Sequence, residues 1–298
     1  MSSHAHLSNG GVDIYLEVVD GALVIRYWGK SVEGDLSKMT FLRSIPNSDF
    51  DAMQNPGIMR EHSRGWLGYP TIAGHRAGKS WSTKFVVSEF KSDKSSCAAL
   101  LRDEFAKLEL KLSIKLDQNG AAQINYKLTN LGESYTLNEL SYWLPLSDNA
   151  QESLDFAGRW SKERTPQRKK IEIGRWVRES HEGRSGHNFT IGEIALSKET
   201  NFAYGEAWSV ALYTDSGLDG LPNSFHKYLR SRANHPKKAR PLTLNLWEAI
   251  SFEHSEERVK KIIDAAAKIG VERVVLDDGW FGSRRNDRSG LGDWQISK

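Results

Sequence analysis

Residues Leu108–Leu116, LELKLSIKL, alternate apolar and polar side chains, with Leu110, Leu112, Ile114 and Leu116 on one side and Lys111, Ser113 and Lys115 on the other. A period of two fits an extended strand with one buried face and one wet face; a helix would scatter the same residues around its circumference. The texture recurs from about Val12 to Tyr213, in VDIYLEVV, ALVIRYWG, KFVVSEF, AQINYKLTN and FAYGEAWSVALYT, with Gly, Asn, Asp and Ser between the runs. Many short half-buried strands in succession predict a large antiparallel β-sandwich over residues 1–215.

Near Leu221 the pattern changes. PNSFHKYLRSRANHP (Pro222–Pro236) has helix-forming content and ends at a proline, which predicts a helical linker over 216–240. PLTLNLWEAI (Pro241–Ile250) then reads as a strand that is apolar almost throughout. SEERVKKIIDAAAKIG follows as a helix, with Ser255 as cap, Glu256 and Glu257 in the first turn and Gly270 as its stop. Its apolar stripe, Val259, Ile262, Ile263, Ala266 and Ile269, has helical spacing, and VERVVL returns as another buried strand. Strand, helix and strand of this kind make a β-α-β unit with parallel strands, so 241–298 reads as the opening of an α/β domain. The predicted class is therefore an all-β sandwich joined to α/β structure.

Charge and cysteine content exclude several functions. Lys and Arg number 41 against 38 Asp and Glu, a formal net charge of +3 with no concentrated basic stripe, so no nucleic-acid partner is expected. The locally basic RTPQRKK (Arg164–Lys170) reads as a solvated loop. Cys97 is the single cysteine, which rules out an intramolecular disulfide or a cysteine zinc site and suits a reducing compartment. The start, MSSHAHLSNGG, lacks the apolar centre of a secretory signal, and no run of about 18 apolar residues occurs, so a cytoplasmic protein without a membrane partner is expected. His4 and His6 read as part of a disordered polar tail, and no metal or cofactor is expected. AGHRAGKS (Ala73–Ser80) fits a relaxed phosphate-loop pattern, but that loop needs a buried strand before it and a helix after it, and WSTKFVVSEF reads as a strand.

VVLDDGW (Val274–Trp280) delivers two adjacent carboxylates at the end of an apolar run. The carboxyl ends of parallel strands in α/β folds carry the chemistry, and Asp277, Asp278 and Trp247 all fall at such ends. An indole face beside carboxylates suits a sugar, since the ring covers C–H groups while the carboxylates accept hydrogen bonds from hydroxyls. The pair alone reads equally well as an Asp-Gly turn beside a core tryptophan. A retaining glycosidase needs two carboxyls about 5 to 5.5 Å apart on opposite sides of one bond. Neighbours on a strand point to opposite faces, and even where a turn brings both into a pocket they arrive from one side, so Asp277 and Asp278 suit hydroxyl binding rather than the acid and nucleophile roles.

LNLWEAI followed by VLDDGWFGSRRNDRSGLGDW resembles the bacterial α-galactosidases (melibiases) of glycoside hydrolase family 36, and EHSRGWLGYPTIAGHRAG, GRWSKERTPQR and SHEGRSGHN resemble stretches of that family's sandwich domain. The resemblance runs from about Asp51 to Trp294; Leu246 departs from it, because many members carry a second Asn there. The resemblance implies that Asp277 and Asp278 hold the hydroxyls on C4 and C6 of galactose and that Trp247 stacks on the sugar. It also implies that Asp51 and Arg164 reach the pocket from the sandwich of a neighbouring subunit. Trp66, in RGWLGYP, either borders a pocket or fills a turn, and Trp280 and Trp294 are expected in the core.

The family's nucleophile and acid/base lie in later barrel strands, in a Lys-Trp-Asp segment and beyond it, which this sequence does not contain, so no catalytic residue is assigned here. The residues after Arg240 fall far short of the about 250 of a whole (β/α)8 barrel, and the chain is expected to be an amino-terminal portion with an incomplete barrel, inactive alone. The implied activity of the full-length protein is retaining hydrolysis of terminal α-galactosyl residues in oligosaccharides such as melibiose and raffinose, by a homo-oligomer that is tetrameric in the family. An α-N-acetylgalactosaminidase, or a non-catalytic galactoside-binding or subunit-assembly module, stays open as an alternative.

Overall fold

The computed structural model describes residues 4–38, 57–141, 143–145, 152–158, 162, 165–172, 174, 206–214 and 216–297. It divides into two compact units, Met1–Arg232 and Ala233–Lys298.

In the first unit the strands are β1 (His4–Asn9), β2 (Val12–Val19), β3 (Ala22–Lys30), β4 (Ile72–His75), β5 (Val86–Ser92), β6 (Ser96–Asp103), β7 (Leu108–Leu116), β8 (Ala121–Asn130), β9 (Thr136–Leu140), β10 (Glu152–Ala157), β11 (Thr165–Lys170) and β12 (Glu206–Leu212). They are followed by α1 (Gly217–Ser231). One antiparallel sheet has the order β1-β2-β3 and the other β12-β8-β7-β6-β5, with β4-β9 and β10-β11 as two-stranded ribbons. Leu7, Leu16 and Leu23 of the first sheet share one core with Leu101, Leu110, Ile114 and Leu128 of the second. This is the sandwich expected from the alternating strands.

β7 follows its sequence pattern residue by residue: Leu108, Leu110, Leu112, Ile114 and Leu116 are buried, and Lys111 and Lys115 are exposed. Each buried aliphatic side chain contributes ~1.5–3 kcal/mol, and a slip of one residue would move all five into water, so this strand fixes the sheet register.

Three expectations for this unit need correction. His4–Asn9 is not a disordered tail: it pairs with β2, His4 opposite Glu17 through Asn9 opposite Val12, and buries Ala5 and Leu7. The two apolar residues in AHLSN face the core while His6 reaches the buried Asp13, Nε2 to Oδ2 3.0 Å. RTPQRKK is not a loop: Thr165–Lys170 forms β11 against β10, with its side chains largely exposed, so its charges need no burial to be compatible with a strand. The predicted linker helix starts earlier and ends sooner than Pro222–Pro236, and Pro222 lies inside it. Tyr228 of α1 is buried, its hydroxyl accepting from Gln123 Nε2 on β8 at 3.2 Å and from Arg232 Nη1 at 2.9 Å. With Phe225 and Leu212 around Ala121 it forms a second small core, so α1 belongs to the first unit.

The phosphate-loop lookalike is a tight turn. β4 runs into a reversal closed by Arg76 N–H to the Lys79 carbonyl (2.7 Å) and its reciprocal (2.9 Å), with Ala77 at φ 47° and Gly78 at φ 78°. The next regular element is β5, so the helix that would face a phosphate does not follow.

The second unit contains β13 (Thr243–Asn245), α2 (Trp247–Ile250), α3 (Glu256–Lys268) and β14 (Arg273–Val275). β13 and β14 pair in parallel, Thr243 opposite Arg273, Leu244 opposite Val274 and Asn245 opposite Val275. The caps of α3 stand where the sequence places them: Ser255 accepts the Arg258 N–H at 3.3 Å, and Gly270 turns the chain at φ 85°. Of the predicted apolar stripe on α3 only Ala266 is buried; Ile263 is 39% and Ile269 77% exposed. Trp294 is 62% exposed rather than a core residue, and the buried aromatic is Phe281, with the Trp280 and Trp294 rings at 5.1 and 4.7 Å. Phe281 also pairs with Ile296 in an isolated antiparallel bridge. Among the described residues no helix is long and apolar enough to cross a membrane.

Candidate functional site

Because β13 and β14 are parallel, their carboxyl ends open on the same side. Asn245 ends β13, and its side chain joins the two sequence-predicted groups. Nδ2 donates to Asp277 Oδ2, and Oδ1 accepts the Trp247 N–H at 2.8 Å. Trp247 therefore opens α2 instead of ending the strand. Leu246, where the resemblance led to a comparison with Asn, is buried and donates its main-chain N–H to the Val275 carbonyl at 3.0 Å. A side chain so enclosed packs and does not bind ligand.

Beyond Val275 the chain turns. Asp277 Oδ1 accepts the Asp278 N–H at 2.7 Å, and Asp278 is gripped by Arg284 through a two-pronged contact, Nε to Oδ1 2.5 Å and Nη2 to Oδ2 2.7 Å. Arg284 is buried, and its remaining prong, Nη1, donates to the Ser289 carbonyl at 2.6 Å. These hydrogen bonds from Arg284, with its charge, hold the Asp278 carboxyl below the usual carboxylate range against the opposing effect of desolvation. Asp278 in turn raises the Arg284 guanidinium.

Gly279 stands at φ 89°, and a Cβ there would lie 2.7 Å from Phe252 Cδ1, so the turn needs a glycine on both conformational and steric grounds. Phe252 meets the Trp247 ring edge to face at 5.0 Å and carries the Arg284 Cζ at 5.7 Å from its own ring. His254 lies beside the same turn with both ring nitrogens buried and without a hydrogen-bond partner among the described residues.

The structure thus brings Asp277, Asp278 and Trp247 together. Asp51 and Arg164 lie outside the described residues. Trp66 is half-buried in the first unit, with Nε1 donating to the Tyr69 carbonyl at 2.7 Å, the Trp143 ring at 5.6 Å and the Arg60 Cζ at 5.1 Å. That is a braced turn. Sequence reasoning passed over Asn245, Phe252 and Arg284. Asn245 carried a signal, as a polar residue ending an apolar strand two positions before the tryptophan. Arg284 carried none that separates it from Arg285, which donates instead to the carbonyls of Gly279 (3.1 Å) and Arg284 (2.7 Å).

Chemically, the strand ends offer two carboxylates that accept hydrogen bonds and one braced indole. Both carboxylates arrive from a single turn, so they cannot straddle one scissile bond. No group of three or more His, Cys, Asp or Glu able to hold a metal occurs among the described residues.

Residues 21–214 match the glycosyl hydrolase family 36 N-terminal domain, and residues 203–298 match the melibiase family. The chain is 26% identical over 348 residues to an alpha-galactosidase of Escherichia coli, a match covering 99% of this chain and 49% of that protein. It is 42% identical over 92 residues to the alpha-galactosidase AgaA of Geobacillus stearothermophilus, covering 30% of this chain and 13% of that one. The crystal structure of AgaA superposes with a TM-score of 0.79 at 20% identity, over 99% of this chain and 52% of that chain. An AgaA variant in complex with raffinose gives 0.78 at 21% identity, over the same shares. The chain spans about half the length of these proteins, apart from the shorter local match to the AgaA sequence.

Proposed function

The chain belongs to glycosyl hydrolase family 36, and from that premise we propose that it supplies the galactose-recognition end of an α-galactosidase, whose full-length form releases terminal α-galactosyl residues with retention of configuration. The observation that carries this reading is the side chain of Asn245, which bonds both the Asp277 carboxylate and the main-chain N–H of Trp247 at the mouth of two parallel strands. In such a site the indole lies along the apolar C–H face of the sugar, and Asp277 and Asp278 accept hydrogen bonds from its hydroxyls. Raffinose bound to the AgaA variant supports α-galactosides of sucrose as the substrate class, and melibiose fits the same recognition. The chemical step in this reading belongs to two carboxyls from later strands, because retention requires attack from one side of the anomeric carbon and protonation from the other.

The test is substitution in the full-length protein. Asp277→Ala and Asp278→Ala should each remove charge-assisted hydrogen bonds of roughly 1.5–3 kcal/mol, lowering kcat/KM on an aryl α-galactoside at least tenfold while the fold survives. Trp247→Ala should raise KM. Full activity in either aspartate variant reduces the motif to a turn.

A second reading, a galactoside-binding or subunit-assembly module without catalysis, draws on the fact that both carboxylates come from one turn and one of them is committed to Arg284. Binding of galactose by a full-length protein that never turns over an aryl α-galactoside would favour it. Within the first reading, the family resemblance also supports association of sandwich domains, with Asp51 and Arg164 acting in a neighbour's pocket; a fully active monomer in light scattering opposes it.

A further inference from the structure

We propose that Arg284 is a positioning residue for sugar recognition, setting the Asp278 carboxylate with its guanidinium edge and, through the Phe252 ring on its face, the orientation of the Trp247 indole. The inference rests on the galactose-binding reading of the site. One buried side chain reaches both halves of it. The edge contact is the fork to Asp278 at 2.5 and 2.7 Å, and the face contact is the Phe252 ring at 5.7 Å, which in turn meets Trp247 at 5.0 Å.

The third prong, held by the Ser289 carbonyl at 2.6 Å, stops the guanidinium from rotating about its own axis. Gly290, at φ 78°, closes over it: a Cβ there would lie 3.3 Å from Arg284 Cβ. A planar fork against a carboxylate fixes two distances and therefore an orientation, which a lysine ammonium cannot do.

A carboxylate has about four acceptor positions; the fork occupies two of those on Asp278 and the Gly279 N–H a third. Asp277 likewise has each oxygen engaged once, by Asn245 and by the Asp278 N–H. Each aspartate thus keeps acceptor capacity for sugar hydroxyls in directions that its protein partners have already set, and binding need not order the side chain first. Arg284 does not touch the sugar in this arrangement and acts only through the groups it holds.

The charged and titratable groups around the Asp278–Arg284 pair are His254 on the α2–α3 connection, Asp277 on the same turn as Asp278, and Asp287, which faces Arg284 from the following loop; Arg284 itself faces the Asp278 carboxylate. Of these only Arg284 forms a bonded contact with it among the described residues, so removing that cation should let Asp278 take up a proton at higher pH.

The experiment measures kcat and KM across pH for the full-length protein on an aryl α-galactoside, in wild type, Arg284→Gln and Arg284→Lys. Arg284→Gln should raise KM about tenfold near neutral pH with kcat changed less than about threefold. Its KM should also begin to rise at a less acidic pH than in wild type. Arg284→Lys, which keeps the charge and loses the fork, should show an intermediate KM with the wild-type acid limb. A wild-type KM in either variant overturns the proposal. So does a loss shared equally by kcat and thermal stability with an unmoved acid limb, which is what a purely structural arginine gives. Should Arg284→Gln not fold, the KM of Arg284→Lys decides alone. A wild-type protein inert on the substrate sinks the underlying reading instead, whatever the variants do.

Discussion

Asn245 and Asp277 meet across the carboxyl ends of two parallel strands, the amide nitrogen of one donating to the carboxylate of the other, while the Asn245 amide oxygen holds the Trp247 N–H at 2.8 Å. A single amide thereby ties the Asp277 carboxylate to the main chain that carries Trp247. Replacing Asn245 with Ala should leave Asp277 held only by the Asp278 N–H and release the first turn of α2. On the galactose-binding reading, KM for an aryl α-galactoside rises about tenfold in the full-length protein, consistent with loss of one hydrogen bond to a charged group. Asn245→Asp should be worse, because it sets a like charge against Asp277. Equal KM values in wild type and both variants would remove Asn245 from the site.

The acid stability of the sandwich should depend on Asp13. Burial by itself would raise its carboxyl, but hydrogen bonds from Ser8, the Val32 N–H, Ser31 and His6 outweigh that and hold it below the ordinary value of 3.8. The folded value is thus depressed, so the ionised group adds stability that is fully present above its unfolded value, about 3.9, and is lost as pH falls through the lower folded value. Asp13→Asn should destabilise the protein at neutral pH by ~1–3 kcal/mol, through weakened hydrogen bonds at a site 1% exposed. The difference in melting temperature between wild type and variant should shrink on acidification below about pH 4. Melting curves that stay parallel from pH 6 to pH 3 contradict the assignment.

Much of this architecture was legible because local pattern and tertiary burial agree. β7 alternates in sequence and in burial alike, and Ser255 and Gly270 end α3 by chemistry that acts within one turn. β1 was missed because its two buried residues, Ala5 and Leu7, are separated by a histidine and flanked by polar residues, and their burial depends on β2 pairing beside them. The role of Arg284 was invisible for the same kind of reason. Its neighbour Arg285 has identical chemistry, and only the turn at Gly279 decides which guanidinium reaches Asp278. The placement of Asp277, Asp278 and Trp247 beside the ends of β13 and β14 was legible because a strand end is a place that sequence can mark.

Tyr228 should anchor α1 to the sandwich. Tyr228→Ala removes a buried ring and should destabilise the first unit by ~3–5 kcal/mol, whereas Tyr228→Phe loses the contacts with Gln123 and Arg232 and should cost ~1 kcal/mol. Hydrogen exchange over Gly217–Ser231 should accelerate in the Ala variant and stay near wild type in the Phe variant. Unchanged protection of that helix in Tyr228→Ala would show that it holds its place without the ring.

Expressed by themselves, these 298 residues should not hydrolyse α-galactosides. Retention needs one carboxylate to attack the anomeric carbon and a second carboxyl, about 5 to 5.5 Å away, to protonate the leaving oxygen from the other side. Asp277 and Asp278 are consecutive, leave one turn together, and are held by Asn245 and Arg284, so neither can cross to the far side of a sugar lying on Trp247. The packing of the second unit leads to the same expectation. It offers one parallel strand pair, and Leu242, Ile263, Ile269, Leu276, Leu291, Trp294 and Ile296 are exposed in it. A two-stranded sheet with open edges beside exposed apolar surface of this kind invites association or local unfolding. Limited proteolysis should therefore cut first after about residue 240 and spare the sandwich strands, and galactose should bind weakly or not at all. Turnover of an aryl α-galactoside by the purified 298-residue chain, abolished by Asp277→Ala or Asp278→Ala, would overturn this reading and make the visible pair the catalytic one.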